Sequence, residues 1–438
     1  MERINLNLLK KILLFILLTV MRGIAGAHSI SLEEAYDRTL ASDQTIRIAY
    51  VEIKKANLLP WSALTKFGPR INVGYSLRHT ETTTPFYNPS LSVNDAQNAN
   101  ISLNQPLIDF TFFPAYRLGK LTVNANRLQY QLTIRNVLFG VAKAYYEVLK
   151  QQKIVELDKT TLDLANRQLK LSQNQYEEGA VSKVDILRAQ SSVESARQNL
   201  ITDENLLELD RNTLSNTLNL HGKGRQFELI QPKDAEESIR SFEDELARAF
   251  ANREDIKVGE IAIQQSKEAR KEVLGQYAPT VSAQLAQNWD TNHSAVSRSE
   301  AWGAALTVQV PIFTGGQREI DLKTAGYNIN EAGTNLETTQ KDAESEVKTT
   351  WLEVENLRET IISLKTQVES NEQNYQDLQN QYLGGAATSL DTQTALIALV
   401  NSRTNLITQT YQYQVALRDL ERAGAAFQNR RVKSAKIP

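Results

Sequence analysis

The chain carries one unit twice, and that constrains its fold more than any other feature. Ser31-Leu-Glu-Glu-Ala-Tyr opens a first half, and Ser241-Phe-Glu-Asp-Glu-Leu opens a second at an offset of 210. The offset holds through Ala41/Ala251 and Ile46/Ile256 to Pro69 and Pro279. It is 205 between Gln-Pro106-Leu-Ile and Val-Pro311-Ile-Phe, and 206 between the two copies of Gln-Asn-Gln-Tyr ending at Tyr176 and Tyr382. The small insertions fall between the two prolines of each half, where a loop belongs. A period of about 206 residues is far longer than a solenoid repeat, so the chain reads as a duplicated domain.

Each half reads helix, strand, loop, strand, then a very long helix. The strands come from alternation. Ile71, Val73, Tyr75 and Leu77 alternate with polar or small residues, as do Ile101 and Leu103, then Val281, Ala283 and Leu285, then Trp302, Ala304, Leu306, Val308 and Val310. Polar connections are expected at 80–98 and 290–300. The helices come from heptads. Leu118, Leu121, Ala125, Leu128, Leu132, Phe139, Ala142, Tyr146 and Leu149 follow steps of three and four, with Arg135 as the exception. Val354, Leu357, Ile361, Leu364, Val368, Tyr375, Leu378 and Tyr382 do the same, interrupted by Asn371. A sustained 3.5-residue period marks a coiled-coil seam. From about Thr111 to Tyr176 no proline follows Pro114, and some 60 residues make a helix of roughly 90 Å.

The four alternating strands are each about 9–11 residues, the length that crosses a bilayer when tilted. Their apolar side would face lipid, and their Asn, Ser, Gln and Gly side a wet lumen. Phe86, Tyr87 and Trp289 at the loop ends, and Phe110, Phe112, Phe113 and Phe313 at the helix ends, stand where an interfacial aromatic girdle belongs. Four strands do not close a barrel, since small barrels need about eight, and open edges are not tolerated in lipid. Spanning strands would therefore require several chains to share one barrel. The alternative is a soluble β-layer packed on the helices.

Composition fits export rather than chemistry. Residues 1–27 read as a secretory signal: Arg3, Lys10 and Lys11, an apolar run from Ile12 to Val20, and the small Ala25-Gly26-Ala27 cleavage site. No later stretch is apolar for the 18 or so residues of a membrane helix. With no cysteine there is no disulfide, thiolate nucleophile or lipid-carrying thiol. A formal charge of −2 gives no electrostatic footprint for nucleic acid. His28, His79, His221 and His293 are scattered without metal-ligand spacing, His221-Gly-Lys-Gly224 lacks phosphate-loop spacing, and no catalytic elbow occurs. The expectation is no enzyme, no cofactor and no metal.

Two matching turns interrupt the long helices. One runs Tyr176-Glu-Glu-Gly179-Ala-Val181-Ser182-Lys-Val184-Asp185, the other Tyr382-Leu-Gly-Gly385-Ala-Ala387-Thr388-Ser-Leu390-Asp391. Gly179 and Gly385 suit the left-handed residue that ends a helix. Ser182 and Thr388 suit the next N-cap, and Asp185 and Asp391 suit N3, where a carboxylate reaches back to free amides.

The signal, the duplicated half, the proline-bounded strand pairs and the doubled turn together resemble the TolC family of outer-membrane efflux channels, over about residues 30–425. The absent cysteine resembles its non-lipidated branch. That resemblance implies a mainly α fold with membrane β-strands, in which three protomers build a 12-stranded β-barrel continuous with a 12-helix α-barrel of coiled coils. It implies an outer-membrane location extending into the periplasm. It also implies docking on an inner-membrane transporter through a periplasmic adaptor, with small molecules or proteins as cargo. By position, Tyr382 and Asp185 resemble a tyrosine–aspartate pair that constricts the resting tips, and Asp391 resembles a ring of acids that selects cations. Gly179, Val181, Ser182, Gly385, Ala387 and Thr388 resemble the surface on which adaptor hairpins dock. Ala387 stands in place of a bracing arginine and Thr394 in place of a second ring acid, so a weaker gate is implied.

The expected organisation is a signal at 1–27, a first repeat at 28–220, a linker at 221–240 around the barrel's middle, a second repeat at 241–427 and a flexible tail at 428–438. Two other readings compete. A periplasmic adaptor would show one helical hairpin flanked by lipoyl-like β-rich halves. A surface structural coiled coil would leave the four strands unexplained.

Overall fold

A computed structural model describes residues 28–83, 91–221, 227–232, 240–292 and 298–427. The signal 1–27, Phe86 and Tyr87, His293, much of the 221–240 linker and the tail 428–438 lie outside the described residues. In chain order the elements of the first half are β1 (His28–Ile30), α1 (Leu32–Ser42), α2 (Gln44–Ala56), α3 (Leu59–Lys66), β2 (Arg70–Thr83), β3 (Leu91–Ile108), α4 (Phe112–Glu177) and α5 (Lys183–Thr217). Then come β4 (Phe227–Leu229), α6 (Phe242–Asn252), α7 (Glu254–Gly275), β5 (Thr280–Asn292), β6 (Arg298–Gln309), α8 (Gln317–Leu383) and α9 (Ser389–Ala423). Packing divides the chain differently from the duplication. Among the described residues, one compact unit draws on 48–132 and 253–342 and the other on 28–47, 133–252 and 343–427, so each draws on both halves.

The first unit holds an antiparallel sheet in the order β2-β3-β5-β6. Cross-strand neighbours share a face. Ile71, Val73 and Tyr75 stand opposite Leu103, Ile101 and Ala99; these stand opposite Leu285, Gln287 and Trp289; and those stand opposite Ala304, Trp302 and Glu300. The other face carries Asn72 and Ser76 beside Ser102 and Asn98, then Ala286 and Asp290. The strands are longer than alternation predicts. β2 pairs with β3 from Arg70↔Asn104 to Thr83↔Leu91, so most of the expected loop at 80–98 is strand. Likewise Thr291 pairs with Arg298 inside the expected connection 290–300. Apart from Leu91 and Val93, those stretches are mostly polar or small in sequence, so the alternation is too short to read. Their backbone amides still pair, since the ladder does not depend on side-chain polarity. Close packing in this unit places Gly119 against α3. A Cβ there would meet the backbone nitrogen of Pro60 at 2.8 Å.

The second unit is built on helical hairpins. α4 buries the expected seam residues Ala142, Tyr146 and Leu149, and also a second stripe, Ile134, Leu138, Val141, Tyr145 and Val148, each at 0% exposure. A helix flanked on two sides needs a wider apolar arc than a single seam, and the one-seam reading missed it. Arg135, the exception in the heptad, is buried, and its Nη1 donates to the Phe427 carbonyl at 3.0 Å. Phe427 is fully buried edge-on against Tyr36 and Phe139. In the second hairpin Val354 and Leu357 pack on Ala416, Leu417 and Leu420. Farther along, Tyr375 packs on Ala395, Leu396 and Leu399. Asn371, which interrupts that seam, donates from Nδ2 to the Ala398 carbonyl at 3.2 Å.

Alternation gave no sign of β1 and β4. They pair in parallel, His28↔Phe227 through Ile30↔Leu229. Three-residue strands are too short to show a period.

Candidate functional site

The hairpin tips follow from local sequence. At the first, the Gly179 amide bonds to the Tyr176 carbonyl at 3.0 Å and the Ala180 amide to the Gln175 carbonyl at 2.8 Å, with Gly179 at φ +74°. At the second, the Gly385 amide bonds to Tyr382 at 3.1 Å and the Ala386 amide to Gln381 at 2.8 Å, with Gly385 at φ +76°. This is the left-handed helix end that glycine permits at least cost. The next helices open on capping boxes. Ser182 donates to Asp185 Oδ2 through its amide at 3.1 Å and its hydroxyl at 2.7 Å. Thr388 does the same to Asp391 Oδ2 at 3.0 and 2.6 Å, while the Asp391 amide returns a bond to Thr388 Oγ1 at 3.2 Å. The Thr388 hydroxyl first, and its amide second, hold the Asp391 carboxyl below the usual carboxylate range. Asp391 is exposed, as are Gly179, Ser182, Gly385 and Thr388, whereas Val181, Asp185 and Ala387 are half-covered.

The structure does not join Tyr382 to Asp185 within one chain. Tyr382 is buried, and its hydroxyl lies 3.4 Å from Ser172 Oγ on α4, so this bond links the second hairpin to the first. Tyr176, its counterpart in the first half, is 45% exposed. Asp185 has Arg188 Nη1 at 3.8 Å on its other oxygen. Ser172 and Arg188 were not singled out from sequence. Arg188 matches Thr394 at the 206-residue offset, so comparing the halves would have shown a cation present in only one of them.

The sheet is the second candidate. Ile71, Val73, Tyr75, Leu77, Trp302 and Leu306 are each at least 65% exposed. The outer edges of β2 and β6 have no strand partner among the described residues. The opposite face is amide-rich, and Asn98 Nδ2 bonds Asp290 across β3 and β5. Among the described residues no helix is long and apolar enough to cross a membrane.

The chain is similar to characterised proteins. The chain is 20% identical to the outer membrane protein TolC of Escherichia coli over 430 residues, covering 91% of this chain and 84% of that one. It is 22% identical to the alkaline protease secretion protein AprF of Pseudomonas aeruginosa, covering 89% and 83%. The crystal structure of the CmeC outer membrane channel of Campylobacter jejuni matches with a TM-score of 0.78 at 16% identity, over 93% of this chain and 89% of that one. Residues 35–220 and 246–425 match the sequence profile of the outer membrane efflux proteins, so the two repeated halves, matched separately, place this chain in the outer membrane efflux protein family.

Proposed function

We propose that three copies of this chain form an exit duct through which cargo crosses the periplasm and the outer membrane. The carrying observation is the sheet: one largely exposed apolar face, one amide-rich face and two edges unpaired among the described residues. In lipid such edges must be satisfied by other strands. β2 of one copy joining β6 of the next closes a twelve-stranded barrel, apolar outside and wet inside. The paired hairpins of three copies supply a twelve-helix barrel. An inner-membrane transporter drives export, and a periplasmic adaptor docks at Gly179, Val181, Ser182, Gly385, Ala387 and Thr388. Asp391 forms a ring of three carboxylates at the entrance. Asp185 and Tyr382 belong to the constriction, with Ser172 and Arg188 as their partners within one chain.

Purified protein should form discrete conducting units in planar bilayers and a heat-modifiable band on gels. Absence of both would refute the duct. Both protein-secretion and efflux components stand among the relatives, as the names of AprF and of the toluene efflux pump outer membrane protein TtgC state. Crosslinking from a cysteine placed at Ala387 and identifying the captured adaptor separates the two cargo classes.

A further inference from the structure

In the first hairpin two carboxylates face each other across the α4–α5 seam. Asp158 is 7% exposed, between the buried Val155 and Ala165 of α4. Its Oδ2 is buried with no hydrogen-bond partner. The charged group that acts on this carboxyl is Asp203 of α5, and Gln151, two turns before Asp158 on α4, reaches that same residue. Gln151 Nε2 holds Asp203 from the other side, donating to Oδ1 at 2.7 Å and to the backbone carbonyl at 3.2 Å. The neighbouring cations are engaged elsewhere. Lys159 reaches Glu204 at 3.2 Å, Lys153 reaches Glu156 at 2.8 Å, and Lys150 bonds Glu147. Asp210 of α5 faces Glu147 and Lys150 instead. Among the described residues, Asp203 is the one charged group that acts on Asp158, from either hairpin.

Two ionised carboxylates facing each other, one buried and one half-buried, repel each other and leave an acceptor unserved. One shared proton removes the repulsion and supplies the missing donor. We propose that Asp158 and Asp203 hold a single proton between them and form a pH-sensitive latch joining α4 to α5. Burial first, and Asp203 second, raise the Asp158 carboxyl to about 7. The sign follows from that direction. The folded hairpin binds the proton more tightly than the unfolded chain, whose carboxyl titrates near about 4. The latch is therefore complete below about pH 4 and is lost as pH rises through about 7. At the 206-residue offset the second hairpin carries Leu364 and Gln409. The device is thus confined to one of the two hairpins, and protonation changes their relative stiffness. Asp158 lies 19 residues before the end of α4, about 30 Å from the hairpin turn.

The test is hydrogen exchange on the full chain in detergent from about pH 5 to about pH 9, corrected for intrinsic rates. Segments 150–160 and 198–208 report the latch; segments 356–366 and 404–414 of the second hairpin serve as reference. Protection of the first pair should fall by about tenfold across that range while the reference holds. Asp158→Asn, a neutral amide that still donates to Asp203, should stay protected throughout, as should Asp158→Leu, which installs the residue of the second half. Asp203→Asn gives the same flat profile from the other helix and keeps the test sharp if one variant folds poorly. A pH-independent wild type, or a wild-type slope in Asp158→Asn, overturns the latch. So does a slope abolished by chelator and restored by calcium, because a cation rather than a proton would then bridge the pair.

Discussion

Replacing Tyr145 with phenylalanine tests how the chain entering the first half is tied down. Tyr145 is fully buried, and its hydroxyl lies 2.5 Å from the Ile230 carbonyl and 2.9 Å from the Ile30 carbonyl. A hydroxyl has one proton and serves one of them. Ile30 already accepts from the Ile230 amide at 3.1 Å, so the proton belongs to Ile230. Burial, opposed in part by the bond to Ile230, keeps the phenol far above its ordinary pKa. It therefore remains a neutral donor at any working pH. Phenylalanine keeps the ring and its edge-on contact with Tyr146 and removes only the donor.

A carbonyl left without its donor costs about 1–3 kcal/mol when buried. The Ile230 side chain is 48% exposed, so water reaches part of this site and the lower half of that range applies, about 1–2 kcal/mol. A loss of that size accelerates exchange of the Ile230 amide roughly 5- to 30-fold, read by hydrogen exchange on the folded protein. The second half supplies the control. Trp351, at the 206-residue offset from Tyr145, donates from Nε1 to the Arg240 carbonyl at 3.1 Å in an exposed setting. Trp351→Phe should loosen 240–242 and leave Ile230 unchanged. Unaltered exchange at Ile230 in Tyr145→Phe, or a loss spread evenly to the hairpin tips, would show that the hydroxyl does not hold the β1–β4 junction.

Substitutions at three further positions have defined outcomes. Gly385→Ala meets no atom within 4 Å, so its cost is backbone strain alone at φ +76°, about 1–2 kcal/mol; faster exchange confined to the second tip confirms it, and a change elsewhere does not. Asp391→Asn and Asp391→Ala should both lower cation selectivity in bilayers, but only alanine should release the first turn of α9 to exchange, because the amide oxygen still accepts from Thr388. Unchanged selectivity removes Asp391 from the pore ring. Asp255 is pushed up by burial but pulled further down by its bonds to Arg253, the shortest at 2.6 Å, and sits below its ordinary pKa. Its contribution is present above about pH 4 and lost as pH falls below that. Asp255→Asn should flatten the acid-side rise in exchange at the start of α7, and an unchanged acid limb would sink the assignment.

The regular parts of this fold were legible from sequence because they obey short periods. The long helix expected from Thr111 to Tyr176 runs from Phe112 to Glu177. Both tips carry the glycine end and carboxylate cap that their residues dictate. What escaped the pattern was set by partners. Residues 91–98 pair as strand although Leu91 and Val93 are too short an alternation to mark one, and the neighbouring ladder continues through them. The second buried stripe of α4 belongs to a neighbour on the other side of the helix. Arg135 looked like a break in a seam and is instead buried against the carbonyl of Phe427, 292 residues away. Tyr382 resembles by position a tyrosine paired with an aspartate, and within one chain its hydroxyl reaches Ser172 while Asp185 caps α5.

The two halves therefore carry different kinds of information where they agree and where they differ. Any helical hairpin with this tight turn needs a residue tolerant of positive φ, a hydroxyl cap and an acid at N3. The appearance of Gly, Ser or Thr, and Asp at both tips is explained by folding before transport is considered. Positions that differ are freer of that explanation, since the same fold accepts either residue. Arg188 faces Asp185 where the second half has Thr394. Tyr382 is buried against α4 while Tyr176 stays exposed. Asp158 faces a second acid where the other hairpin has Leu364. Each difference gives one hairpin a side-chain interaction that the matching site of the other does not repeat; Thr394, for instance, bonds the Leu390 carbonyl of its own helix at 2.8 Å rather than an acid. A duct that opens by moving one hairpin against the next needs such inequality, because two identical hairpins would respond identically to any trigger. The unmatched polar residues, more than the repeated tip, are where control of this duct should be sought.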